Sequence, residues 1–346
     1  MSGGLAWAIP WIESGLVPAS LIRWGIRRLH QQRLDEEMDA VRAGENRLDE
    51  FVAQLESAPI ALTPEKANEQ HYEVPAAFFQ QVLGPHLKYS SGYWAEGVTD
   101  IGVAEAAMLS LSCERAELVD GHRILELGCG WGSLTLWMAA HYPQSQIVAV
   151  SNSASQREFI YSQCKERGLN NVEVITCDMN DFSIDRTFDR VVSIEMFEHM
   201  RNLGQLLHRI STWLVPGGKL FVHIFCHRRF AYLFRSRGPA DWMGNHFFTS
   251  GMMPSFDLFS RFQQDLRLEE SWYENGSHYG KTSDAWFDLQ VKRRREVMPI
   301  LVEAYGDDAA IWFERWKIFF LACAELFHFN RGEEWGVGHY RFSRPS

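Results

Sequence analysis

The sequence predicts an α/β protein built on a doubly wound, mostly parallel sheet. From about Gly121 onward, short apolar runs alternate with amphipathic stretches of helical length, which is the pattern of repeated β-α units. Glycines follow the first apolar run directly, at the point where open α/β folds bind ligands. With 346 residues and 46% hydrophobic content, the chain is long enough to bury a large core.

Each element of the sheet and its helices is predicted from its own stretch of sequence. Five apolar runs predict strands, at residues 123–127, 146–151, 172–178, 188–195 and 219–225. Amphipathic stretches predict the intervening helices, at residues 133–142, 153–168 and 203–214. Pro216, Gly217 and Gly218 predict a turn before the fifth strand.

The flanking regions are predicted to depart from this alternation. Residues 1–70 are helix-rich in pattern and predict an N-terminal helical segment, which precedes a main domain at residues 71–346. Within that domain, residues 228–262 are rich in aromatic residues, Gly, Pro and Met, and predict an inserted helical lid. A long helical stretch is expected at about 282–327, and the C-terminal GHYRFSR is expected to be a final edge strand.

Composition and the N-terminus exclude several classes of protein. The formal net charge of −10 argues against a nucleic-acid partner. Six scattered cysteines without a C-x-x-C pair predict neither a metal site nor a disulfide framework, which favours a cytoplasmic protein with reduced thiols. Pro10, Glu13 and Pro18 interrupt the apolar N-terminus, so it fits neither a signal peptide nor a membrane span.

The basic amphipathic pattern at residues 19–34 is expected to pack on the protein's own body rather than on a membrane surface, although peripheral membrane contact stays an alternative. Neither the role of residues 1–70 nor the oligomeric state follows from the sequence, and a homodimer stays open.

The stretch Glu126-Leu127-Gly128-Cys129-Gly130-Trp131-Gly132 predicts a ligand-binding turn. Its spacing is G-x-G-x-G rather than the G-x-G-x-x-G of dinucleotide enzymes, and no P-loop Lys follows. Glu126 and Asp178, each after a predicted strand, suit a ligand with an amino group, a ribose and an adenine but no phosphate. These features describe S-adenosylmethionine.

The same residues carry a resemblance to a known family. ELGCGWG resembles the first motif of S-adenosylmethionine-dependent methyltransferases, which have a Rossmann-like class I fold. HYEVPAAFF (71–79), LKYSSGYW (87–94) and FEHM (197–200) are similar to the cyclopropane fatty acid synthase superfamily. EMFEHM and AELFHFNRGEEWGVGHYRF are most similar to coclaurine N-methyltransferase-like enzymes, so the resemblance implies an enzyme that methylates a small molecule.

The resemblance also implies a set of contacts with S-adenosylmethionine. A Tyr-Ser pair would close over its methionine part, and the glycine turn would face the methionine and ribose. An Asn and a Gln would reach the ribose region, and an Asp-Met pair would hold the adenine. In that order the residues are Tyr89 and Ser90; Glu126, Gly128, Gly130 and Gly132; Asn152 and Gln156; and Asp178 and Met179.

The stretch VSIEMFEHM, at the end of the fourth predicted strand, is a candidate catalytic cluster. Glu195, Glu198 and His199 stand at i, i+3 and i+4, so a helical turn would place all three on one face. Carboxylates there would attract an ammonium substrate, and an adjacent base would take its proton. We predict that Glu198 and His199 handle the proton and that Glu195 orients the amine.

Aromatic side chains are candidates for an apolar or cation–π wall around the acceptor, with ordinary core packing as the equal alternative for each. His223, at the end of the fifth predicted strand, is expected to point into the same cleft. The aromatic candidates are Tyr93, Trp242, Phe248 and Trp335.

Three alternatives to amine methylation stay open at the level of sequence. A small thiol could be the acceptor, although a carboxylate-rich site opposes a thiolate. A cyclopropane-type lipid modifier would use the same methyl donor, but the chain has Ser91 and Glu195 where the synthases carry Cys and Gly. A non-catalytic protein that binds the cofactor is the third alternative.

Overall fold

A mixed sheet of seven strands forms the centre of the part of the chain that the structure describes. The computed structural model describes residues 9–44, 47–62, 74–234 and 241–346. In sheet order the strands are β3 (Val172–Thr176), β2 (Gln146–Ser151), β1 (Arg123–Leu127), β4 (Phe188–Ile194), β5 (Leu214–His227), β9 (Trp335–Ser343) and β8 (Arg267–Glu274). β1 to β5 are mutually parallel, and β9 is antiparallel to both β5 and β8. The carboxyl ends of β1 to β4 therefore share one edge, where open α/β sheets bind ligands.

Helices cover both faces of this sheet. α6 (Ser133–His141), α7 (Ala154–Arg167) and α8 (Leu203–Trp213) connect the parallel strands, and α5 (Ile101–Arg115) precedes β1. The others are α1 (Ile9–Glu13), α2 (Ala19–Arg42), α3 (Arg47–Glu56), α4 (Ala76–Val82), α9 (Trp242–His246), α10 (Ser277–Lys292), α11 (Arg294–Tyr305) and α12 (Ala309–His328).

The α/β prediction is confirmed, and the bounds of its helices follow from local chemistry. The Ser153 side chain caps α7 by accepting from the backbone N–H of Gln156, and Gly168 ends the helix in a left-handed conformation. Asn202 caps α8 in the same way through the N–H of Gln205. These caps explain why the predicted helices at 153–168 and 203–214 agree with the structure to within a residue or two.

Two expectations on the C-terminal half are wrong, and a third, a turn, is met in part. β9 is not an edge strand, because β8 pairs along its far side and forms the edge. The helical stretch at 282–327 is three helices, with breaks at Arg293 and at Gly306, whose backbone is not helical. The turn expected at 216–218 is an irregularity inside β5, where Gly217 has a φ of +73° and the pairing with β4 moves from Leu214 to Lys219.

The N-terminal helices lie against the main body. α2 runs along α12, where Arg23 and Arg27 both contact the carboxylate of Glu325, at 2.8 Å and 2.7 Å. Arg23 also contacts Asp284 of α10 at 2.6 Å. α3 packs on α8. Residues 1–8, 45–46 and 63–70 of the predicted N-terminal segment lie outside the described residues.

The segment expected to be an inserted lid, 228–262, contains less helix than predicted. In its described part, α9 is a single short helix and Leu258–Arg261 is a 3₁₀ turn. The two-residue strands β6 (Tyr232–Leu233) and β7 (Met252–Met253) pair as a small antiparallel ribbon. Through ranges 9–44, 47–62, 74–234 and 241–346, no helix has both the length and the apolar character needed to span a membrane.

Candidate active site

The glycine turn between β1 and α6 shapes the first of two cavities at the carboxyl edge of the sheet. Gly128 has a φ of +79°, and a Cβ there would lie 2.7 Å from the side chain of Met196. Gly132 has a φ of +80°, and its Cβ would lie 2.6 Å from Ile160. Gly130, also at positive φ, faces open space. A side chain at Gly128 or Gly132 would strain the turn. Because glycine has no side chain, a ligand can approach the backbone of the turn closely.

The first cavity holds about 710 Å³ of space free of protein atoms, counted to its open mouth, which is within the range of ligand pockets. Its wall combines the glycine turn with the ends of β2, β3 and β4 and two residues from the lid segment. The lining residues are Ala61, Gly128, Gly130, Val150, Ser151, Asn152, Gln156, Cys177, Asp178, Met179, Met196, His199, Met200, Thr249 and Ser250.

The polar groups of this cavity fit a nucleoside-containing ligand. The Ser151 hydroxyl donates to Oε1 of Gln156 at 2.6 Å, while the buried Nε2 of Gln156 has no hydrogen-bond partner among the described residues. Asp178 accepts from the backbone N–H of Asn180 at 2.7 Å, which fixes the carboxylate at the cavity wall. A buried amide donor without a partner and a held carboxylate are groups that an adenosine could satisfy.

Four residues expected to contact the cofactor do not line this cavity. Glu126 is buried beneath the turn and accepts a hydrogen bond of 2.5 Å from Thr135 of α6, and burial raises its pKa to about 8. Gly132 serves instead as the residue that begins α6. Ser90 is buried against the Lys88 ammonium at 2.5 Å, and Tyr89 lines the second cavity. Strand alternation and the path of the loop direct these four residues elsewhere, and their contacts with the cofactor stay predictions.

The second cavity adjoins the first at His199, which lines both. It holds about 930 Å³ of space free of protein atoms, counted to its mouth. The wall is mostly aromatic and aliphatic, with the acidic pair Glu195 and Glu198 as its charged part. The other lining residues are His30, Tyr89, Phe225, Phe234, Met243, Phe248, Met253, Tyr279, Trp286, Phe319, Ala322, Cys323, Leu326 and Phe327.

The acidic pair is presented by an unusual backbone at the end of β4. Glu195 adopts a left-handed φ of +50°, and its N–H donates to the His223 carbonyl at 2.9 Å. A 3₁₀ turn, Phe197–His199, follows in place of the expected α-helical turn. The result still brings the cluster together, with His199 Nε2 lying 3.9 Å from Oε1 of Glu198.

Burial changes the ionisation of both carboxyl groups. Burial raises the pKa of Glu198 to about 8. The pKa of Glu195 is raised well above its ordinary value, by burial first and then by the negative charge of Glu198. The two carboxyl groups also share a hydrogen bond. Two acids this close together hold a proton at neutral pH, which is the condition for acid–base chemistry near pH 7.

Lys88 is a charged neighbour that sequence reasoning missed. It is 1% exposed, and burial lowers its pKa to about 8, while the charges of Glu195 and Glu105 act in the opposite direction. Oxygens of Glu105 accept the backbone N–H groups of Gly84, His86 and Lys88, which holds the loop before α5. No pattern in the sequence relates Lys88 to Glu195.

Of the four aromatic side chains expected at the acceptor wall, one lines the second cavity. Phe248 lines the second cavity and stacks on His199, with ring centres 6.0 Å apart. Tyr93 stacks instead on His278, and the Trp242 indole donates to Glu13 at 2.9 Å. The Trp335 indole, fully buried, donates to the Tyr232 hydroxyl at 3.0 Å. These three aromatic side chains contact other residues of the described chain and line neither cavity.

His223 is buried behind Glu195 rather than lining the cavity. Its Nε2 lies 3.2 Å from Oε1 of Glu195, and its Nδ1 lies 2.8 Å from Nε2 of His339. It therefore contacts the candidate site through the carboxyl group of Glu195.

Several wall residues were missed although a signal for some of them is in the sequence. Phe319, Cys323 and Leu326 on α12 follow helical spacing, and Ala322 completes the same stripe. Tyr279 and Trp286 on α10 also follow helical spacing, which places both on one face of that helix. His30 reaches the cavity from α2, which nothing in the sequence indicates.

In the described residues, no group of three or more His, Cys, Asp or Glu side chains is arranged to hold a metal ion.

Comparisons of the sequence and of the structure with known proteins agree on one group of relatives. A family model described as "Mycolic acid cyclopropane synthetase" matches residues 61–334. The (S)-coclaurine N-methyltransferase of Thalictrum flavum subsp. glaucum is 35% identical over 350 residues, which span 96% of this chain and 94% of that protein. The pavine N-methyltransferase of the same plant is 33% identical over 327 residues, which span 93% and 89%. A crystal structure of coclaurine N-methyltransferase bound to N-methylheliamine and SAH has a TM-score of 0.90 and 32% identity, covering 99% of both chains.

Proposed function

This chain belongs to the mycolic acid cyclopropane synthetase family and is an S-adenosylmethionine-dependent methyltransferase, and from that premise we propose that it methylates the nitrogen of a small cyclic amine. One observation carries the proposal. Two buried carboxyl groups, Glu195 and Glu198, lie in an otherwise apolar cavity beside a cavity that fits the methyl donor, and His199 lines both. The relatives named above are N-methyltransferases, which agrees with this choice.

The first cavity supplies the groups that would hold the methyl donor. Asp178 would accept from the adenine amine, Asn152 and Gln156 would bond the ribose region, and the glycine turn would face the methionine part. Met179 would pack on the adenine. S-adenosylmethionine, when bound, supplies a methyl group that its positive sulfonium has already activated.

The acidic pair supplies what an amine nucleophile needs. Most aliphatic amines are protonated at neutral pH, and a carboxylate in an apolar cavity attracts the ammonium form. Glu198, with His199 beside it, would accept the proton so that the nitrogen lone pair becomes free. Glu195 would orient the nitrogen by a second hydrogen bond. Since the donor is already activated, much of the remaining rate comes from positioning.

The aromatic wall supports a cyclic, aromatic acceptor over a small polar one. Phe248, Phe319 and Trp286 present ring surfaces to the cavity, and they would bury the apolar body of such an amine. Tyr89 and Tyr279 add ring faces close to the acids, where they favour a cation.

A labelled-donor screen tests the proposal. Purified protein is incubated with labelled S-adenosylmethionine and, separately, with cyclic secondary amines that carry an aromatic ring, with small thiols and with vesicles of unsaturated phospholipid. We expect label on amine nitrogen, identified by mass spectrometry. Label on thiol sulfur only, or in the acyl chains only, would refute the amine assignment.

Glu198→Gln gives a sharper test of the base. With an amine that is protonated at the assay pH, kcat should fall about 10²-fold or more. A fluorinated analogue of the same amine, with a pKa well below the assay pH, binds already deprotonated. For this analogue, the fall in kcat in Glu198→Gln should be much smaller. Equal losses for the two amines would remove Glu198 from proton transfer.

A further inference from the structure

Behind Glu195, a row of polar side chains crosses the sheet toward its β8 edge. His223 Nε2 lies 3.2 Å from Oε1 of Glu195, and His223 Nδ1 lies 2.8 Å from Nε2 of His339. His339 Nδ1 lies 2.6 Å from Nη1 of Arg115, the last residue of α5. The strand register places His223 directly opposite His339, and His339 opposite Trp272. The row therefore connects the candidate site with a residue near the surface.

The two histidines in this row are neutral. Both are 0% exposed, and a buried polar ring is costly unless it is hydrogen-bonded. Burial, with the positive charges of Lys88 and Arg115, holds the pKa of His223 and of His339 well below the ordinary value. Each ring therefore carries a single proton, on Nδ1 or on Nε2.

Arg115 determines which nitrogen carries that proton. Its Nη2 contacts Glu274 at 2.6 Å, and its guanidinium lies 4.8 Å from the ring centre of Trp272. A guanidinium can only donate, so Nδ1 of His339 must accept and its Nε2 must carry the proton. That N–H donates to Nδ1 of His223, which leaves the proton of His223 on Nε2, facing Glu195. Every step follows from the single donor at the end of the row.

We propose that Arg115 and His339 are positioning residues that fix the tautomer of His223, so that its Nε2–H faces Oε1 of Glu195. An N–H whose positive end faces a carboxyl group favours the charged form of that group. The row therefore makes it easier for the acidic pair to lose a proton and to face the amine with a negative charge. The kinetic part rests on the proposed function; the tautomers are properties of the free protein.

If Arg115 is lost, the row can reverse. His339 would then carry its proton on Nδ1 and His223 on Nδ1, which turns a lone pair of His223 toward Glu195. Glu195 would keep a proton on the side of His223, and the pair would ionise less readily. Other groups that face Glu195 stay in place in such a variant: Glu198, Lys88, Tyr279, Cys226 and Cys323.

Nitrogen NMR of protein labelled at histidine reads the tautomers without substrate. In the native protein both rings should show a protonated Nε2, with signals assigned by their loss in His223→Gln and His339→Gln. In Arg115→Met at least one of them should change to a protonated Nδ1. Arg341→Met is the matched control, because Arg341 also lies over Trp272, at 5.4 Å, but pairs with Glu269 and contacts Arg115 only at its backbone carbonyl, at 3.2 Å. Unchanged tautomers in Arg115→Met would overturn the proposal.

Kinetics give the second readout. In Arg115→Met the acid limb of kcat/KM should move up by about one pH unit, and kcat at pH 7 should fall about tenfold. Arg115→Lys keeps a hydrogen-bond donor and should restore part of the native acid limb and part of the native kcat. Arg341→Met should match the native pH profile. His339→Phe breaks the row at similar ring size and should show the same shift if Arg115→Met does not fold.

A native pH profile in both Arg115→Met and His339→Phe, with only a lower melting temperature, would reduce the row to a structural feature and overturn the proposal. If no amine is methylated at all, the proposed function fails, while the NMR result still decides the tautomers.

Discussion

Asp178 stands at the end of β3 with one carboxylate oxygen held by the backbone of Asn180. If its carboxylate binds the adenine amine, Asp178→Asn should raise the Kd for S-adenosylhomocysteine about tenfold or more, since a hydrogen bond to a charged group is worth about 1.5–3 kcal/mol. Isothermal titration calorimetry measures this. Asp181→Asn, which changes an exposed acid three residues away, is the control. An unchanged Kd in Asp178→Asn would exclude the adenine contact.

Glu198 carries a prediction about stability as well as rate. Its pKa is raised by burial to about 8, so the folded state keeps a proton that the unfolded chain releases near pH 4.5. The free energy of unfolding therefore falls as pH rises from about 4.5 toward 8, because the folded state binds more protons there. Glu198→Gln removes that cost, and its melting temperature should exceed the native one by about 2–4 °C or more at pH 8, and by less at pH 5.

Calorimetric melting curves of Glu198→Gln at the two pH values check the sign. Glu173→Gln is a suitable control, because the pKa of this exposed acid is lowered by its hydrogen bond to Arg186. A Glu198→Gln protein that gains nothing between pH 5 and pH 8 would show that Glu198 is not a buried acid.

For individual residues, the sequence predicted the position of those side chains that local structure places. Gly128, Asp178 and Glu198 follow strands directly, so the alternation of strands and helices places them at one edge. Trp335 and Tyr93 differ, because what an aromatic ring packs against depends on segments far away in the chain. The pKa of Glu195 likewise depends on Lys88, more than a hundred residues earlier, and no spacing rule connects them.

Among the elements, α2 closes one side of the second cavity and brings His30 to its wall. Glu325 of α12, with a side chain 7% exposed, accepts from both Arg23 and Arg27 of α2. Glu325→Gln removes the negative charge and should weaken the docking of α2 by about 1–3 kcal/mol. Backbone amides of α2 should then exchange hydrogen faster, and KM for the amine should rise while the Kd for the methyl donor stays the same.

Asp39→Asn provides the matched control for Glu325→Gln. It removes an ion pair with Arg42 on the same helix, in which both side chains are 72% exposed. Exposed pairs contribute little to stability, so exchange and KM should remain native in that variant. Equal exchange rates in Glu325→Gln and the native protein would contradict the role of this ion-pair cluster.

The strands that the sequence predicted well have strong local signals in their own residues. Strand β8, which the sequence did not predict, has no such signal. β1 and β2 are nearly continuous apolar runs because helices cover both their faces. β8 reads RLEESWYE, and its residues are exposed or half-buried, which resembles a surface loop. Its place at the edge depends on pairing with β9, which lies more than sixty residues further along the chain. The same pairing turns the predicted edge strand β9 into an internal one.

At the scale of the whole molecule, two cavities of different chemistry meet at one histidine. The first is polar enough for a nucleoside, and the second is aromatic with a buried acidic pair. The net charge of −10 agrees with a cationic acceptor, although the local field of the pair decides binding. The family includes enzymes that act on lipids, so the nature of the acceptor is the central claim.

A competition assay tests that claim most directly. The protein receives limiting labelled S-adenosylmethionine together with a cyclic secondary amine bearing an aromatic ring and vesicles of unsaturated phospholipid, and mass spectrometry measures both products. We predict N-methylated amine and unmodified acyl chains. Cyclopropanated acyl chains together with unmodified amine would contradict the account.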